Sequence, residues 1–117
     1  MAAIANLIID QGANFSSDIT VKDANGNAFD LTGYTTEAKM AKGYASTRTR
    51  TTITSAVASD ATTGVVSLTL TATQTAALDA PERYVYDVEI SFQDSDDTTI
   101  VERILEGRIQ VTPSVTK

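Results

Sequence analysis

The chain contains no cysteine, no histidine and no tryptophan. Without Cys there is no disulfide and no thiolate chemistry, and without His both the side chain that titrates near neutrality and the commonest transition-metal ligand are gone. Basic residues are also scarce, nine Lys and Arg against fifteen Asp and Glu, which leaves a formal charge of −6. That is the wrong sign for neutralising nucleic-acid phosphates. No run approaches the eighteen consecutive apolar residues of a membrane helix, and the start lacks a basic segment followed by a long apolar one, so a soluble protein not exported by a Sec signal is expected. With only two prolines and six glycines, long stretches are free of backbone breakers.

What is present is threonine, nineteen of 117 residues. β-branched side chains suit pleated strands and are stiff in helices, so the bias argues for sheet. The length predicts one domain, 1–117, able to bury roughly two-thirds of its unfolded surface without staples. Its clearest signal is Arg83 to Phe92: Tyr84, Tyr86, Val88, Ile90 and Phe92 alternate with Val85, Asp87, Glu89 and Ser91. This predicts a central strand with one face on the core. Asp94 to Asp97 ends it, and Thr98 to Thr112 returns beside it as a hairpin.

Turn signals about every ten residues elsewhere suggest a sandwich or barrel. Ala5 to Asp10 reads as an edge strand after a mobile start. Phe15, Ile19 and Val21 share an inward face, the Asn25-Gly26 pair makes a tight turn, and Phe29 and Leu31 return to the core. Thr36, Ala38 and Met40 point inward from Thr35 to Lys42, with Glu37, Lys39 and Ala41 outward. Gly43 to Arg50 has no apolar period and reads as an exposed loop. Thr51 to Val57 is a strand, and Val66, Leu68 and Leu70 form the next inward row. A short helical turn near 72–78 follows, capped by Thr71 or Thr73, with Leu78 plugging the end of the sandwich and Pro81 ending the turn. In the last run Val101, Leu105, Ile109 and Val111 share a face while Ile100 and Ile104 take the other. Gly107 there predicts a bulge or a close backbone approach, and a bulge would let the two halves serve different sheets.

Three constellations resemble chemistry. Asp94, Asp96 and Asp97, and also Asp23, Asn25 and Asn27, offer oxygens to Ca²⁺, but neither has the Gly and Glu of a calcium loop, and solvated turns explain them better. Asp87 and Glu89 could serve as acid and base, yet a charged outer strand face explains them equally well. Tyr84-Val85-Tyr86 resembles in part the tyrosine corner of immunoglobulin-like sandwiches, with buried structural aromatics the simpler reading. No catalytic residue, metal site or cofactor is expected.

Several segments in order carry a resemblance: Ile9 to Phe15; Asp23 to Asn27 followed by Asp30-Leu31-Thr32-Gly33-Tyr34; Leu68 to Ala72 and Gln74 to Leu78; Arg83 to Glu89; Leu105-Glu106-Gly107-Arg108; and Val111-Thr112-Pro113. Together they resemble a family of small structural proteins of tailed bacteriophages, and more loosely the N-terminal immunoglobulin-like domain of phage baseplate upper proteins. The Gly43 to Arg50 loop has no counterpart. The resemblance implies an immunoglobulin-like antiparallel β-sandwich of about seven to eight strands. It also implies a non-enzymatic virion protein, assembled in the host cytoplasm, that docks components at the tail, neck or baseplate. Decoration of the capsid is the alternative within that class, and a carbohydrate-binding module for host-surface attachment the alternative outside it. The expected partners are other virion proteins in a symmetric multi-copy assembly, without nucleic acid or membrane. Leu7, Ile8 and Ile9, with Tyr44, Arg48 and Arg50 of the loop, are the expected contacts, because an apolar edge strand is a pairing template.

Overall fold

The computed structural model describes residues 3–23, 25–43 and 50–115. Period-two patterning becomes strand throughout: β1 (Ala3–Ile4), β2 (Leu7–Asp10), β3 (Phe15–Thr20), β4 (Thr35–Ala41), β5 (Thr51–Val57), β6 (Val65–Leu70), β7 (Glu82–Gln93) and β8 (Thr99–Thr112). The period changes only where Ala and Thr replace alternation, at helix α1 (Ala72–Ala76) and at a 3₁₀ turn, Ala61–Thr63. Thr71 caps α1 in a capping box: its hydroxyl accepts from Gln74 N–H at 3.2 Å, and Gln74 Oε1 accepts from Thr71 N–H at 2.8 Å.

The strands are ordered β1-β8-β7-β4-β5-β6-β3, with β2 also on β8. One layer holds β8, β7 and β4, and the other holds β3, β6 and the second half of β5. All main pairings are antiparallel; β1 and β2 join β8 in parallel. Taking β1 and β2 as one split N-terminal strand, the third, sixth and seventh strands form one sheet, and the second, fourth and fifth form the other. This is the arrangement of an immunoglobulin-like sandwich. Central strand β7 has β4 on one side and β8 on the other, so both of its edges are paired.

The core contains Leu31, Met40, Val66, Leu68, Leu70, Leu78, Tyr84, Tyr86, Val88, Ile90, Leu105, Ile109 and Val111, with Phe15, Ile19, Val21 and Phe29 partly buried against it. The last four sit toward the edge where β3 has no further partner. The structure also places residues in the core that the pattern put elsewhere. Ile9 is wholly buried and Leu7 half-buried, because β2 lies on β8 with alternate side chains turned in. Ala41, expected outward, is also buried. Ala3 to Ala5, expected as a mobile start, is held: β1 pairs with Leu105 and Glu106, and Ala5 N–H donates to Glu106 O at 3.0 Å.

Gly107 is not a bulge. The ladder slips between Val88/Leu105 and Glu89/Arg103, leaving Ile104 as the extra residue. This slip reconciles the two parities of the last run, since inward positions are even before Ile104 and odd after it. Gly107 marks a close approach instead, its Cα facing the backbone of Ala5. Nor does β8 divide between sheets; β5 does, pairing with β4 through Thr51–Ile53 and with β6 through Thr54–Val57.

At the corner before β7, the Tyr84 hydroxyl accepts from Asp79 N–H at 2.9 Å, a tyrosine corner in function as well as position. Tyr84→Phe removes the partner of that amide and should lower stability by about 1 kcal/mol in urea unfolding. The neighbouring Tyr86 hydroxyl donates to Ala5 O at 2.6 Å, and burial pushes its pKa up to about 12. The unfolded chain gives up this proton at the ordinary value of 10.0, so stability should fall as pH rises from 10 toward 12. Unfolding midpoints across that interval, compared with Tyr86→Phe, check it.

Candidate interaction surfaces

The charged constellations are absorbed by structure. Asp94 Oδ1 accepts from the N–H groups of Asp96 and Thr98, and Asp23 Oδ1 from those of Asn25 and Asn27, so each carboxylate ties its own turn. Asp97, with φ 59°, takes the left-handed position that closes a three-residue hairpin loop. Among the described residues no group of three or more acidic side chains is arranged to hold a metal ion. Asp87 lies on the outer face of β7, where Arg103 Nε stands 3.4 Å from its carboxylate and Glu106 3.4 Å from the same guanidinium. Glu89 is on the same face, opposite Glu37 on β4 and Arg103 on β8.

Two surfaces combine apolar groups with exposure. The first is the outer face of the N-terminal strands, where Ile4 and Ile8 are 76% and 68% exposed. Of the predicted run, then, Ile8 is at the surface and Ile9 is not. Between the two isoleucines, Asn6 Oδ1 accepts from Arg108 N–H at 3.1 Å and fixes the strand on β8. Beside them is a shallow hollow lined by Asn6, Leu7, Ile8, Arg83, Arg108 and Gln110. Two isoleucines flanked by two guanidinium-bearing residues suit a partner with an apolar patch and an acidic rim. Arg50 lies across the same sheet in a hollow with Lys39, Gly43, Val85 and Asp87. The predicted contacts Tyr44 and Arg48 lie outside the described residues. Ile4 was missed by the pattern because a two-residue strand carries no periodicity of its own.

The second surface is a cleft of about 580 Å³ where the two layers part, between β3 and the first half of β8. Ile19, Val21, Phe29, Ile90, Ile104 and Leu105 line it, with Lys22, Asp23 and Glu102 among the polar residues around it. It opens because β1 and β2 cover β8 only from Leu105 to Thr112. At the hairpin end, Tyr34 packs against Phe29 and Phe92 with ring centroids 5.6 and 5.0 Å apart. Each described aromatic is buried or half-buried.

The fold thus defines the class as an immunoglobulin-like β-sandwich. No protein-family model matches the chain, and no curated protein matches it. Among solved structures, murine CRIg is similar at 13% identity and a TM-score of 0.46, over 93% of this chain and 92% of that one.

Proposed function

We propose that this chain is a non-enzymatic structural protein of a tailed-phage virion. In this reading it is an adaptor at the tail, neck or baseplate that docks other virion proteins through the outer face of its N-terminal strands. The observation that carries the reading is the pair Ile4 and Ile8, exposed in a row on an edge strand whose other side chains anchor it in the core. A short strand with one face buried and the other apolar and exposed gives a rigid contact at little entropic cost. Repeated by symmetry in a particle, such contacts sum to firm attachment. The phage setting rests on the segmental resemblance across the chain, and the acidic balance, −6, argues against a nucleic-acid partner. Decoration of the capsid uses the same chemistry at another place in the particle. No observation favours the carbohydrate-binding reading, which needs exposed aromatic faces.

The test is the double variant Ile4→Lys with Ile8→Lys. Both side chains are largely outside the core, so the melting curve should stay within about 0.5 kcal/mol of the parent. Incorporation into particles should fall severalfold, in the tail or the capsid fraction according to the site. Incorporation at the parent level, with the melting curve unchanged, removes this face from the assembly.

A further inference from the structure

The first half of β8 has a free edge. Among the described residues, β8 takes β7 on one side along its whole length, but its other side is covered only from Leu105 onward. The direction of its free backbone groups follows from the turn. Asp94 N–H donates to Thr98 O at 3.0 Å, which makes Asp94 and Thr98 a hydrogen-bonded pair. Alternation along the hairpin then assigns the backbone groups of Ile100 and Glu102 to β7 and turns those of Thr99, Val101 and Arg103 outward.

Exposed edges usually carry lysine, proline or a polar face against unwanted pairing. The free edge of β3 follows that rule, with Ser16, Asp18 and Thr20 as its exposed residues. The β8 edge follows it only in part: Glu102 and Arg103 are exposed and charged, but beside them Ile100 is 40% and Val101 56% exposed. An unpaired edge with apolar side chains is a template for another strand.

We infer that this edge pairs with the same edge of a second copy, antiparallel and about a two-fold axis through Val101. The occupant follows from self-complementarity. A two-fold normal to the sheet keeps inner face with inner face and requires the outward backbone groups of one copy to meet those of the other. An axis through Val101 meets both conditions. Val101 then pairs with the second copy's Val101, Thr99 with its Arg103, and Ile100 with its Glu102. Val101 and the two Thr99–Arg103 pairs all fall at hydrogen-bonded positions, while Ile100 comes to the inner face beside Glu102 at the cleft. Moving the axis to Glu102 sets two carboxylates face to face, and moving it to Arg103 opposes two guanidiniums, both unfavourable across strands. Moving it to Ile100 shortens the ladder and carries Arg103 past the strand to Asp97 of the turn. The Arg103 side chain does not block approach, because it lies over the sheet between Asp87 and Glu106.

This pairing goes beyond the virion reading and is tested on the purified full-length chain alone. The sequence has no cysteine, so a single introduced thiol reports only on symmetric proximity. Residues in a hydrogen-bonded antiparallel pair have Cα atoms about 5.5 Å apart, within disulfide range. Val101→Cys should therefore oxidise to a covalent dimer at least about tenfold faster than Ser16→Cys on the β3 edge. Val101→Pro removes only the outward N–H, so its melting curve should remain cooperative. In sedimentation equilibrium its dimer dissociation constant should rise about tenfold or more, because the two-fold repeats the loss and removes two hydrogen bonds. The inference is overturned if the chain stays monomeric while the two cysteine variants cross-link equally slowly. It is also overturned if a dimer persists undiminished in Val101→Pro, which would place self-association on another surface such as Ile4 and Ile8. A strand recruited only from a different protein would give the monomeric result. Loss of particle incorporation in the Ile4 and Ile8 variant with this dimer intact would separate the two proposals.

Discussion

Val88→Asp is expected to remove several kcal/mol, most of the stability of the fold, at neutral pH, whereas Glu89→Ala, one residue on, leaves it nearly unchanged. Val88 is wholly buried on β7, flanked by Ala38 on β4 and Leu105 on β8, both also buried. The nearest guanidinium in register, Arg103, lies on the outer side with Asp87. An unpaired carboxylate there costs several kcal/mol, more than about 4, against a total margin of about 5 to 15 for a small domain. The same burial raises the pKa of the introduced acid above its unfolded value of about 4, so the folded form binds the extra proton. The variant should then be least unstable at acid pH and lose stability, relative to the parent, as pH rises from about 4 through the raised value. Circular dichroism with urea titration at two pH values reads both effects. A Val88→Asp protein as stable as the parent, or a Glu89→Ala protein that unfolds, would reverse the register of the central strand.

Gly107→Ala should detach the N-terminal arm. A Cβ on Gly107 would lie 2.0 Å from the carbonyl oxygen of Ala5 and 2.8 Å from its carbonyl carbon, and these backbone atoms can yield only if the arm moves. What holds the arm at that point is the Ala5 N–H bond to Glu106 O, the Tyr86 hydroxyl on Ala5 O and the Asn6 bond to Arg108 N–H. Losing bonds of this kind costs about 1 kcal/mol each, so roughly 3 kcal/mol in all is expected. Gly26→Ala is the control: its φ of 83° makes an added side chain strained, but nothing lies within 4 Å. It should cost about 1 to 2 kcal/mol and leave the arm in place. Hydrogen exchange separates the cases, because the Ala5 amide and the β2 amides should lose protection in Gly107→Ala alone. Equal protection in both variants would mean that the approach of Ala5 to Gly107 does not hold the arm.

The central strand was legible because its five inward residues repeat at period two without interruption, and nothing in its surroundings overrides that pattern. A threonine cap was legible from residue type, but Thr71 and Thr73 were equal candidates, and only the bonds between Thr71 and Gln74 select Thr71. The last run shows where local reading stops. Its mixed parity was visible, but both a bulge at Gly107 and a bulge elsewhere account for mixed parity, and only pairing with β7 selects Ile104. The N-terminal run failed for a related reason. Leu7, Ile8 and Ile9 are consecutive apolar residues, and a consecutive run does not say which member faces inward until a partner strand sets its register.

By itself, the sequence determined the class of the fold, the hairpin of β7 and β8, the composition of most of the core, and the absence of thiol and imidazole chemistry. Each follows from residue type or from short-range periodicity, which act within one element. The tertiary structure alone decided that β1 and β2 lie parallel to β8, that β5 passes from one layer to the other, and that Ile9 is buried while Ile4 and Ile8 are exposed. It also decided that the arm leaves the edge of Thr99 to Ile104 uncovered. These are contacts between segments far apart in the chain, such as Asn6 with Arg108 across 102 positions. Such contacts depend on which strands meet and in what register, and a strand's own pattern does not carry that information.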